Sequence, residues 1–357
     1  MFYRLALKRK ENSSIQEGFQ VKKQFNKKLK EDWFMSLLLE TGAPIVTVFG
    51  GSGFIGRYVV SRMAKLGWRV KVAVRNPNHA IFLKTYGEVG QIEILQSNVL
   101  SQSSVLSATE GSMAVINCVA GKLMETNSAV SRRIYVDAAN FISKAASLSR
   151  VKKLVHISAL GVERALDSKY AISKAQGEKN IIQNFSKTVI LRPSIIYSVD
   201  DNFTTNLMTI LSLLPVFPLY YNGKTKFSPI HVSNFCEIIL KIINKNISDQ
   251  IIECIGPEEL SFKEIIKKLL ISIDKKRFLI QMPIKIAKLS AFFLEKLPKP
   301  LLTRDQLNLL KYDNIPSGDY KTNNDLGLEA KLKFEDEISK YSYMWKKGGE
   351  YSKKFNK

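Results

Sequence analysis

The stretch IVTVFGGSGFIGRYVV, residues 45–60, constrains the fold most. It begins as a short apolar run of strand type. It then turns through Gly50, Gly53 and Gly56 in G-x-x-G-x-x-G spacing and continues as FIGRYVVSRMAKLG, residues 54–67. Ile55, Val59, Met63 and Leu66 fall on one face of the helix so predicted. A glycine triplet alone is a weak signal; placed after a buried strand and at the opening of a helix, it has a mechanism. Gly50 and Gly53 let the chain turn sharply and bring backbone N–H groups close to a pyrophosphate. Gly56 lets the helix pack close to the strand, and the helix N-terminus supplies the positive end of its dipole. Ser52, Phe54, Ile55 and Arg57 belong to the same turn and are expected at the dinucleotide, Arg57 adding charge.

A regular alternation follows. Strands are expected at 70–75, 91–99, 113–121, 151–160 and 188–197, with helices at 126–149 and 170–185. Strands alternating with helices of this length imply an α/β fold with a Rossmann-type, doubly wound parallel sheet. After Tyr197 the alternation loosens, which points to a smaller C-terminal α/β region. The expected organisation is a basic N-terminal extension over 1–42, a nucleotide domain over 43–200, a substrate or partner region over 201–333 and a charged tail over 334–357. Residues 1–34 lack a sustained apolar period and an apolar signal core, and they make a poor import presequence. Translation is expected to start at Met35, which mass spectrometry of the native N-terminus would decide.

The strand ends carry the site. Arg75 ends the second strand, where a site selecting NAD usually has a carboxylate for the ribose 2′-hydroxyl; arginine favours the 2′-phosphate of NADP(H). Asn98 and Val99 end the third strand, where adenine would lie. Asn117 to Gly121, including Val119 and Ala120, end the fourth, beside the nicotinamide ribose. Tyr170 and Lys174 form Y-x-x-x-K on a helix, so both face one way, and Ser158 lies upstream at the end of the fifth strand. A nearby ammonium favours the phenolate and suits tyrosine to proton transfer, while Ser158 is placed to hydrogen-bond a substrate carbonyl.

With the glycine motif, Ser158, Y-x-x-x-K and Arg192-Pro193 in this order, the chain resembles the short-chain dehydrogenase/reductase superfamily. The resemblance implies that Lys174 also holds the nicotinamide ribose hydroxyls and that the backbone from Pro193 to Ile195 lies near the carboxamide. The runs KYAISKAQGEKNI, VILRPSIIYSVDDNFTTNL and NGKTKFSPIHVSNF narrow it. So do PIKIAKLSAFFLEKLPKPLLTRDQL and DLGLEA. Over roughly residues 43–333 these resemble the atypical branch that contains the nucleotide-binding accessory subunit of respiratory complex I. That branch implies a tightly held NADPH in a structural or sensing role, with Tyr170 and Lys174 gripping the cofactor. Ser198-Val199 in place of Gly-Pro, and Asn234 in place of aspartate, depart from the pattern on the substrate side.

Composition bounds the alternatives. The 45% hydrophobic content excludes a disordered, collagen-like or polytopic membrane chain. Cys118, Cys236 and Cys254 form no CxxC pair, which fits a reducing compartment. The net charge of +22 is spread along the chain and forms no nucleic-acid module, so no nucleic-acid partner is expected. Codon bias toward Lys, Ile and Asn accounts for part of it. The lysine-fringed stretch 283–299 reads as an amphipathic helix, with Ile286, Leu289, Phe293 and Leu297 near one face. It is expected to meet an anionic membrane or a partner; capping of the chain's own core is the alternative. The resulting expectation is an NADP(H)-binding accessory or assembly subunit of complex I, peripheral on the cytoplasmic face of a bacterial inner membrane or on the mitochondrial matrix side. Its partners would be complex I subunits or other inner-membrane proteins. The alternative is an active NADP-dependent reductase, dehydratase or epimerase acting on a small molecule such as a quinone or lipid precursor.

Overall fold

The computed structural model describes residues 42–121, 128–245, 247, 250–296 and 302–352. Among them, seven strands form one parallel sheet: β1 (Ile45–Phe49), β2 (Arg69–Val74), β3 (Ile92–Gln96), β4 (Ala114–Asn117), β5 (Lys153–Ile157), β6 (Thr188–Pro193) and β7 (Ile251–Cys254). Their order is β7-β6-β5-β4-β1-β2-β3. The order reverses between β1 and β4, which opens a crevice at the C-terminal ends of those two strands. Val46, Val48, Val115, Ile116, Leu154, Val155, Ile190 and Leu191 are fully buried, as a sheet covered on both faces demands.

The first helix, α1, spans Phe54–Lys65, α2 spans Gln102–Thr109, α3 is the short Ser128–Arg132, α4 is Ala138–Leu148 and α5 is Lys169–Asn184. A π-helical turn, Arg133–Asp137, joins α3 to α4. On one face of the sheet α2, α4 and α5 bury Val105, Ile142, Ala146 and Ile181 against Val115 and Leu154. On the other face α1 packs against the helix Val232–Asn244.

The strand expected over 188–197 stops at Pro193. The chain then turns, and Ile196–Tyr197 pairs separately with Ile230–His231. A second core gathers Tyr197, Met208, Leu211, Phe217, Phe262 and Leu269. Phe334, Ile338, Tyr341 and Trp345 join it. The charged tail expected over 334–357 is therefore corrected over 334–345. Its apolar residues recur every three or four positions and bury one stripe, while Glu335 and Lys340 stay on the outer side.

The basic stretch forms the helix Ile284–Leu294. Its small residues, Ala287 and Ala291, face Leu302 and Leu307, whereas Ile286, Leu289 and Phe293 are 54%, 59% and 61% exposed. Leu297 and Lys299 lie outside the described residues.

Candidate functional site

The glycine turn is built as its spacing demands. Gly50 has φ +74°, and a side chain there would place its Cβ 3.0 Å from the Cys118 carbonyl oxygen, so the turn lies directly against the end of β4. Gly56 is tighter: a Cβ would sit 2.2 Å from the Gly50 oxygen. Gly53 precedes α1 with no side-chain cap, and the first turn holds no acidic residue. The N–H groups at that helix end are thus left for an anion.

Arg57 is already engaged. Its Nη1 lies 3.3 Å from Asp200 Oδ2, and its guanidinium sits 5.8 Å from the centre of the Phe82 ring. Tyr58 joins the same cluster, its hydroxyl donating to Asp200 Oδ2 at 3.4 Å. Arg75 is exposed just beyond β2. At the end of β3 the Asn98 side chain accepts from Leu100 N at 3.0 Å, and Val99 is half-buried against the core. At the end of β4 Asn117 accepts from Val119 N at 3.0 Å and bonds His156 at 3.0 Å; Ala120 is exposed. Burial lowers the His156 pKa to about 3, so that ring stays neutral. The Pro193 carbonyl accepts from Leu160 N at 2.9 Å, and the Ile195 carbonyl from Ile230 N at 2.9 Å, so both are committed within the fold.

The serine, tyrosine and lysine occupy neighbouring places but do not form a bonded relay. Ser158 follows β5, is 4% exposed, and its Oγ has no hydrogen-bond partner among the described residues. Lys174 is equally buried and donates through Nζ to the Ile157 carbonyl at 3.1 Å. That Nζ lies 5.8 Å from the Tyr170 ring centre and 5.2 Å from that of Tyr135. Burial lowers the Lys174 pKa to about 8, with Glu178 opposing. The expectation of an acidified Tyr170 is corrected. Burial pushes its phenol well above the ordinary value, and Tyr135 and Asp305 add to the rise. Desolvation of the phenolate outweighs the nearby cation, which meets the ring face.

Two further residues of this site were not among the candidates singled out from the sequence. Asp305 accepts from Lys169 N at 2.8 Å, Tyr170 N at 3.2 Å and Ser168 Oγ at 3.0 Å, and so caps the helix that carries Tyr170 and Lys174. Its signal was the Thr-Arg-Asp pattern, which holds Thr303 in a capping box two residues earlier. Tyr135 gave no sequence signal: it sits on the π-helical turn that a plain 3.6-residue period hides.

A dinucleotide fits these residues. Gly56 lets α1 pack onto the glycine turn, so the uncapped N-terminus of α1 stands at the C-terminal end of β1, and the unpartnered buried Ser158 hydroxyl follows β5 at the same edge of the sheet. The family described as NAD(P)H-binding matches residues 50–210. The 40 kDa subunit of NADH-ubiquinone oxidoreductase from Neurospora crassa is 26% identical over 291 residues, 81% of this chain and 76% of that protein. The alpha subcomplex subunit 9 of NADH dehydrogenase [ubiquinone] 1 from Dictyostelium discoideum is 33% identical over 230 residues, 64% of this chain and 63% of that protein. The chain is similar to the nucleotide-binding accessory subunit of respiratory complex I and carries an NAD(P)H-binding region over residues 50–210. In fold, the chain is similar to a dTDP-glucose 4,6-dehydratase from Streptomyces venezuelae. The TM-score is 0.63 at 17% identity, over 84% of this chain and 96% of that one.

Proposed function

We propose that the chain is an accessory or assembly subunit of respiratory complex I that holds NADP(H) as a resident group. The observation that carries this reading is the state of Tyr170. Burial raises its phenol above the ordinary value, away from the phenolate, while its lysine neighbour gives one N–H to a backbone carbonyl, lies over two ring faces and keeps donors for a ligand. Such a pair grips a ligand better than it moves a proton. The uncapped N-terminus of α1 receives the pyrophosphate, and Lys174 receives the ribose hydroxyls. Arg75, exposed at the end of β2, favours the 2′-phosphate of NADP(H). When bound, the nicotinamide supplies a hydride-exchanging group, and Ser158 Oγ stands ready to orient it or a carbonyl beside it. Denaturing the purified protein and identifying the released nucleotide tests this: NADP(H) at about one per chain is expected, and recovery of none refutes it.

The outer face of the helix Ile284–Leu294 supports peripheral attachment. Ile286, Leu289 and Phe293 form one exposed i, i+3, i+7 stripe beside Lys285, Lys288 and Lys296. No described helix is long and apolar enough to cross a membrane. The stripe meets an anionic membrane surface on the cytoplasmic side of a bacterial inner membrane, or on the matrix side in a mitochondrion.

A second reading, an NADP-dependent reductase, dehydratase or epimerase, is favoured by the unpartnered Ser158 hydroxyl. NADPH oxidation with a substrate, abolished by Tyr170→Phe, would establish it.

A further inference from the structure

Tyr135 lies between the end of β4 and the Tyr170–Lys174 pair, and four features converge on it. It stands on the π-helical turn Arg133–Asp137, an arrangement that inserts one residue into a helix and recurs at functional sites. Its backbone is pressed against α5: a Cβ at Gly177 would lie 2.1 Å from the Tyr135 carbonyl oxygen, so only glycine permits the approach. Its hydroxyl both accepts from Gly121 N at 3.0 Å and donates to Gly121 O at 3.3 Å. Its ring meets Tyr170 edge to face at 5.3 Å, and the Lys174 ammonium lies over both rings.

We infer that Tyr135 is the positioning residue for the nicotinamide half of the dinucleotide site: its ring helps cage the Lys174 ammonium while its hydroxyl fixes the backbone at Gly121. The inference rests on the reading that the chain holds a dinucleotide. The ammonium has three N–H donors, and the Ile157 carbonyl takes one. Two remain for ribose hydroxyls, and their direction is set by the two rings. The Gly121 clamp holds the end of β4, on which that ribose rests, at a set distance from Lys174. A tyrosine serving only to fill the core would explain the burial but not the paired hydroxyl contacts with one glycine, nor the ammonium over its face.

The two roles separate by ligand. NADPH spans both halves of the site, whereas adenosine 2′,5′-bisphosphate reaches only the glycine-turn half. Calorimetric titration of the purified full chain is therefore run with both ligands on the wild type, Tyr135→Leu and Tyr135→Phe. Tyr135→Leu removes ring and hydroxyl, and weakens NADPH about tenfold or more while changing the bisphosphate less than about twofold. Tyr135→Phe restores the cage without the clamp and falls between, at roughly threefold for NADPH alone. Equal losses for both ligands, or NADPH affinity unchanged in both variants, overturn the assignment. If the leucine variant does not fold, the phenylalanine variant alone decides by the same comparison. A wild type that binds neither ligand refutes the dinucleotide reading itself; one that binds NADPH as tightly as its variants refutes only the role of Tyr135.

Discussion

Gly56→Ala adds one methyl group where α1 crosses the glycine turn. Its carbon would sit 2.2 Å from the Gly50 oxygen and 2.6 Å from Gly51 Cα, both backbone atoms without a rotamer to yield. An ordinary contact is about 3.5 Å, so the helix must retreat by about 1.3 Å or the turn must open by as much. Overpacking of this kind costs about 1–3 kcal/mol and lowers Tm by roughly 2–6 °C in a chain of this size. The retreat also draws the uncapped N–H groups of α1 away from the pyrophosphate. NADPH affinity therefore falls at least about tenfold, or about 1.4 kcal/mol. Gly53→Ala is the control: its nearest new contact is 3.2 Å, again to the Gly50 oxygen, and its loss of Tm is smaller. Thermal unfolding with and without NADPH, together with direct titration, reads both quantities. A Gly56→Ala protein with unchanged Tm and unchanged NADPH affinity would refute the close packing of helix on turn and its role in binding.

Other perturbations test other parts of the site. Arg75→Glu lowers affinity for NADPH and leaves NADH affinity equal or higher, checked by parallel titrations. Glu178→Gln removes the buried charge partner of Arg192, whose Nη2 lies 2.6 Å from Glu178 Oε2, and costs about 1–3 kcal/mol in urea unfolding, since Glu163 Oε2 remains 3.0 Å from Arg192 Nη1. The Lys174 pKa of about 8 gives two opposite pH trends. NADPH binding weakens as pH rises through about 8 and the ammonium is lost, whereas Lys174→Met is flat over that range. Because the unfolded chain keeps that proton to higher pH, the contribution of Lys174 to stability rises between its folded and unfolded pKa values. Leu289→Glu with Phe293→Glu leaves Tm within about 1–2 °C, since both side chains are exposed, and removes the protein from the membrane fraction.

The nucleotide half of the fold was legible because its signals are local. Gly56 must be glycine because of contact within the turn itself, Gly50 because of its positive φ against the end of β4, and β1 to β6 announce themselves as apolar runs between polar turns. β7 gave no such signal: only four residues long, it carries Glu253 at its centre. That carboxylate is fully buried and accepts from Ser317 N at 2.9 Å and Ser317 Oγ at 2.8 Å, partners far away in sequence. The Y-x-x-x-K spacing correctly put an ammonium beside the Tyr170 ring, but spacing carries no information on depth. Burial and the carboxylate of Asp305, from a distant helix, decide the state of the phenol. Helical periodicity likewise placed Ile286, Leu289 and Phe293 on one face, but not which face meets the core. Ala287 and Ala291 took that role because small side chains allow the close approach to Leu302 and Leu307.

Mild-detergent capture of the tagged native protein, followed by mass spectrometry of its partners and of the nucleotide it carries, tests the proposed function most directly. Co-recovery of complex I subunits together with NADP(H) is the expected result. A soluble protein isolated without complex I subunits, and without nucleotide, would contradict it.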